Sequence, residues 1–141
     1  MKDEVFIMNA IVKISDFEEI GSVFTSMSLN TVEEKKIFHN ATQNPDYKIS
    51  DFINKTFFCK DIFMQKTLIH DNDGEEKEVI QTIFVTPEGE GILSNSIGVA
   101  KSVMSILNIF GLPSEWGFGG LELEVKEVNF KNGRYFKVLV K

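Results

Sequence analysis

Between Ser96 and Pro113 the chain holds one stretch with a full set of helix signals, and on either side of it the pattern is that of β-strands. Ser96 stands at an N-cap position, and Val99, Val103, Ile106, Leu107 and Phe110 recur at helical spacing. Gly111 offers a left-handed stop, and Pro113 bars continuation. Upstream, "KTFFCKDIFMQKTLIH" (55–70) and "KEVIQTIFV" (77–85) are rich in aromatic and β-branched residues and are joined by the turn-forming "DNDGEE"; "GILSNS" adds a short strand before the helix. Downstream, "LELEVKEVNF" and "RYFKVLVK" flank Asn132-Gly133, the strongest short-range hairpin signal. From Lys55 the order is therefore strand, strand, strand, helix, strand, strand.

A mainly β fold with one helix follows, and the order is that of an OB-fold-like five-stranded barrel, whose helix falls between the third and fourth strands and whose exposed face takes extended ligands. At 141 residues and 43% apolar composition the chain has the size and core content of one domain. "KKIFHNA" (35–41) reads as a short strand opening an OB-like domain over 35–141. Residues 1–34 form an N-terminal extension: "VFIMNAIVKI" reads as a strand, and "FEEIGSVFTSMSL" is compatible with helix or strand. Such a strand can add to another protomer or to a partner, so homo-oligomerisation through this segment is an expectation.

No run approaches the roughly 18 apolar residues of a membrane span, and Met1 to Glu4 carry two acids where a signal peptide has a basic start. A soluble, cytoplasmic protein with no membrane partner is expected. The single cysteine, Cys59, lies in an apolar run and reads as a small buried hydrophobe. The formal charge of -6 is unevenly spread. Residues 1–34 hold two cations against seven carboxylates and residues 71–96 one against seven, whereas 35–70 hold six against three and 121–141 five against three. Overall acidity disfavours loose adsorption to duplex DNA or anionic membranes, yet a local cationic groove remains effective within a Debye length.

Counting outward from a two-residue turn at Asn132-Gly133 puts Leu123, Val125, Phe136, Val138 and Val140 on one face, the core side. The other face presents Phe130 opposite Tyr135, with Lys126, Lys137 and Lys141, while Lys131 and Arg134 flank the tip. Aromatics interleaved with cations suit a single strand of nucleic acid, because unstacked bases need flat apolar partners and the backbone needs neutralising charge. In the first hairpin a two-residue turn at Asp73-Gly74 would set Phe63 opposite Phe84 on the more polar face, a second aromatic pair for stacking. The candidate site is thus Phe63, Phe84, Lys126, Phe130, Lys131, Arg134, Tyr135 and Lys137. The competing assignment for the rings is core or rim packing, and for the lysines a solvated face.

Enzyme readings find less support. His39 and His70 belong to no ligand-spaced motif, "DNDG" lacks the carboxylates of a calcium loop, and "GFGG" (117–120) does not lie between a strand and a helix. No nucleophile has a recognisable base nearby, so neither catalysis nor a cofactor or metal is expected. A different class of function is a protein-interaction module whose acidic surfaces, 1–34 and 71–96, dock a basic partner.

The chain also resembles the single-stranded-DNA-binding proteins of small tailed phages that replicate linear genomes by protein priming. The resemblance runs from about Ile37 to Val140 and rests on "IFHNA" (37–41), "KEVIQTIF" (77–84), "GILSNSIGVA" (91–100) and "LEVKEVNFKNGRYFKVLV" (123–140), in that order. It implies an OB-fold protein, without catalysis or cofactor, that coats the strand displaced during replication and works beside other replication proteins. This chain departs from that family in its few tyrosines, many phenylalanines, longer acidic N-terminus and inserted "GLPSEWGFGG".

Overall fold

The computed structural model describes residues 14–117 and 119–141. Within them lie eight strands: β1 (Val23–Thr25), β2 (Tyr47–Lys48), β3 (Thr56–Cys59), β4 (Asp61–His70), β5 (Glu76–Val85), β6 (Gly91–Ser94), β7 (Leu121–Phe130) and β8 (Gly133–Val140). Two α-helices join them, α1 (Val32–Gln43) and α2 (Ile97–Phe110). The fold is mainly β, with two helices where one was expected.

The strands form two open sheets, β1-β4-β5-β6-β2 and β3-β7-β8, rather than a closed five-stranded barrel. Lys60 divides the long "KTFFCKDIFMQKTLIH" segment, sending β3 into one sheet and β4 into the other. At the far end β8 meets α2 instead of β6, and the Val138 N–H donates to Ser102 Oγ at 3.1 Å. That approach requires Gly98, because a Cβ there would strike the Phe136 carbonyl oxygen.

Helix α2 follows its local signals. Ser96 Oγ accepts from the Val99 N–H, and Gly111 closes the helix at φ 81°. Its inner face buries Val99, Val103, Met104, Ile106 and Leu107. These pack with Ile62, Met64, Phe84 and Ile92 of the larger sheet and Leu123, Val125 and Val138 of the smaller one, forming the main core.

Helix α1 replaces the strand expected in "KKIFHNA". Thr31 and Glu34 form a capping box, each side chain accepting from the other's backbone N–H, so the first turn's donors are satisfied and the helix wins. Ile37, Phe38 and Ala41 then cover Phe63, Ile83 and Val85 on the sheet's second face, with Phe38 edge-on to Phe63 at 5.4 Å. The boundary drawn between residues 34 and 35 falls inside this helix. Residues 23–25 are already part of the larger sheet, with Phe24 opposite Met64. The strand expected in "VFIMNAIVKI" lies, Ile14 apart, outside the described residues.

The first hairpin is one residue out of its expected register. Asp71 and Glu75 close a three-residue loop, Asn72-Asp73-Gly74. The Asp71 N–H donates to the Glu75 carbonyl, the Asp71 carboxylate accepts from the N–H groups of Asp73 and Glu75, and Gly74 takes φ 82°. An odd loop reverses the parity of the pairing, so Phe63 stands opposite Ile83 and Phe84 opposite Ile62. Among the described residues no helix is long and apolar enough to cross a membrane.

Candidate nucleic-acid interface

The register of the first hairpin decides the fate of two predicted stacking residues. Phe63 (7% exposed) and Phe84 (0%) occupy opposite faces of a sheet that is covered on both sides. Phe63 lies under α1, and Phe84 fills the main core against Phe57, with ring centroids 5.2 Å apart. Neither ring is available to a base.

The second hairpin keeps its expected faces through a different register. Its loop is Lys131-Asn132, and the pairs are Phe130 with Gly133, Val128 with Tyr135 and Lys126 with Lys137. Expectation and structure differ by two residues, an even shift that leaves every side chain on its face. Leu123, Val125 and Val138 are buried inward, with Phe136 and Val140 packed against the core. Outward stand Phe130 (55% exposed) and Tyr135 (42%), diagonal rather than directly opposite, with ring centroids 6.1 Å apart and tilted by 45°. The Tyr135 ring also borders Gly98, where a Cβ would come within 3.1 Å of it, so the helix start limits where that ring can go.

Among the described residues Lys126 and Arg134 are ion-paired, whereas no carboxylate partner is found for Lys131 or Lys137. Lys126 and Lys137 stand directly opposite one another on the outer face. Lys126 Nζ lies 3.3 Å from Glu124 Oε2. Arg134 points to the other side, where it donates to Glu127 Oε2 at 2.6 Å and lies 5.6 Å from the centre of the Phe136 ring. Lys131 projects from the tip, exposed. The structure thus brings Lys126, Phe130, Tyr135 and Lys137 onto one surface, with Lys131 at its end. It sets Arg134 at the rim and removes Phe63 and Phe84.

Sequence reasoning missed Phe58. Strand β3 pairs with β7 so that Phe57 faces Leu123 inward and Phe58 faces Glu122 outward, on the same side as Glu124, Lys126 and Phe130. Half of the Phe58 surface is exposed. The alternation in "TFFC" implies that one of its two rings faces out, but which one depends on the long-range pairing with β7.

Beside Phe58 opens a cleft of about 520 Å3, walled by Tyr47, Phe52, Phe57 and Phe58 and rimmed by Glu88 and Glu90. The Tyr47 hydroxyl donates to Glu90 Oε2 at 3.2 Å, and that carboxylate holds the Tyr47 phenol above its usual range. A second cleft, about 540 Å3, is of mixed charge, with Lys66 and Lys77 facing Glu18 and Glu78. Cys59 is fully buried, and burial pushes its thiol far above the usual range. Among the described residues no group of three or more His, Cys, Asp or Glu side chains could hold a metal ion. Compared with known protein families, with curated proteins and with solved structures, the chain shows no match in any of the three.

Proposed function

We propose that the outer face of the β7–β8 hairpin binds single-stranded DNA without catalysis and with little regard to sequence. The observation that carries this reading is the exposure of Phe130 and Tyr135 together on the face that also holds Lys126 and Lys137. Exposed rings cost hydration unless something flat covers them, and bases meet that need at roughly 1–3 kcal/mol each. Lys126, Lys137 and Lys131 would meet phosphates, with Arg134 joining them on release from Glu127.

The topology favours an OB-type ancestry. With β1 and β2 set aside, the order β6-β5-β4/β3-β7-β8 with a helix between β6 and β7 is that of an OB barrel; the contact between its third and fifth strands is missing, and β2 pairs with β6 on the edge where that contact would form. With the family resemblance in its sequence, this supports coating and protection of the strand displaced during phage DNA replication, alongside other replication proteins. The test is a titration with oligo(dT) at several salt concentrations. Neutralising about four phosphates predicts roughly a fifty-fold loss of affinity between 50 and 200 mM salt. Absence of binding at micromolar protein, or affinity indifferent to salt, overturns the proposal.

A further inference from the structure

The cleft beside β3 differs in kind from the lysine-bearing hairpin face. Its walls are a connected row of rings, each edge-on to the next: Tyr47 to Phe52 at 5.5 Å, Phe52 to Phe57 at 5.3 Å and Phe57 to the core residue Phe84 at 5.2 Å. Because the row is anchored in the core, its surface end is already formed before any ligand arrives, which lowers the entropy lost on binding. Phe58 and Tyr47 are exposed at the mouth. Among the described residues the ionisable groups on the rim, besides Tyr47, are the carboxylates of Glu88 and Glu90, and no lysine or arginine lines the cleft. Among the described strands β3 is also the edge of its sheet, hydrogen-bonded in a ladder to β7 alone.

We infer that this cleft is a docking site for an extended, arginine- or lysine-bearing segment of a partner protein. Three features select that occupant. Carboxylates on an otherwise apolar rim repel phosphates and attract cations. Aromatic faces take a guanidinium or ammonium group by cation–π attraction, and the aliphatic stem of the same side chain covers the remaining ring surface. An unpaired strand edge accepts an extended backbone by strand addition, which places alternate side chains of the peptide towards the cleft. The cleft adjoins the proposed DNA face at Phe58, which stands on the same side of the sheet as Lys126 and Phe130, but its lining carries carboxylates in place of lysines, and the assignment does not rest on DNA binding.

The experiment uses the full chain, isotopically labelled and free of DNA, followed by amide chemical shifts during titration with the capped peptide Ac-Val-Arg-Val-Arg-Val-NH2. Saturable shifts confined to Thr56–Cys59, Thr86–Glu90 and Tyr47 are expected. Binding should weaken by about tenfold or more in Glu88→Gln/Glu90→Gln and with the glutamate counterpart of the peptide. Glu88 is exposed, so its variant should fold, and Phe58→Ser, also at an exposed position, serves as a second variant. No shifts at millimolar peptide, equal response to the glutamate peptide, or shifts of these residues by oligo(dC) but not by the arginine peptide would overturn the assignment. Failure here leaves the oligo(dT) result untouched, so the two readings fail separately.

Discussion

Lys126 and Lys137 face each other directly across β7 and β8, on the same side of the sheet as Phe130 and Tyr135. Like charges in this position destabilise a strand pair by roughly 0.2–1 kcal/mol, and Glu124, beside Lys126, offsets only part of that. A phosphate between the two ammonium groups would turn the repulsion into attraction. Lys137→Ala is therefore expected to leave thermal stability unchanged or slightly higher while weakening oligo(dT) binding and reducing the salt slope by about 0.7. A variant that loses stability and keeps its affinity would assign Lys137 a purely structural role.

The two classes of aromatic separate in the same way. Tyr135→Ala should cost about 1–3 kcal/mol of DNA binding and spare the fold. Phe84→Ala, which opens a cavity in the main core, should cost about 3–5 kcal/mol of stability. Denaturant melts and binding titrations on both variants give the comparison. Equal stability losses would mean that the Tyr135 ring is structural.

Thr82 is fully buried on β5, and among the described residues its hydroxyl has no hydrogen-bond partner. Valine has nearly the same shape and removes the orphaned group, so Thr82→Val is expected to raise stability by about 1–3 kcal/mol. A lower denaturation midpoint would show that the hydroxyl is satisfied in solution.

Asp61, half-buried where β3 passes into β4, has its carboxyl pushed above the usual range, chiefly by burial, while the hydrogen bond from Ser26 and the charge of Lys60 pull the other way. Since the folded state holds this proton more tightly than the unfolded state, the stability contributed by Asp61 is present below its unfolded pKa and is lost as pH rises through the folded one. Asp61→Asn keeps an acceptor for Ser26 and removes that loss. The variant should gain on the parent protein in melting temperature between pH 4 and pH 7; a relative loss over that range would contradict the sign.

How much of this was legible in the sequence depends on how local each signal is. Helix α2 was readable because Ser96, Gly111 and Pro113 act through their own backbone neighbours. The faces of β7 and β8 survived a misplaced turn because the error was even. The faces of β4 and β5 did not, because "DNDGEE" fits loops of either parity, and a single residue decides whether Phe63 and Phe84 share a face. Helix α1 carried its capping box openly in "TVEE", but the apolar pair Ile37-Phe38 was read as strand. Phe58 and the cleft beside it were out of reach, since both depend on pairing and packing between segments distant in sequence.

The central claim is that the exposed rings of the β7–β8 hairpin stack on bases, and the most direct measurement is the ring-proton resonances of Tyr135 and Phe130 during titration with oligo(dT). Upfield movement of both, saturating with the same midpoint as binding and fading as salt is raised, is the expected result. Tight binding with both rings unmoved would contradict it.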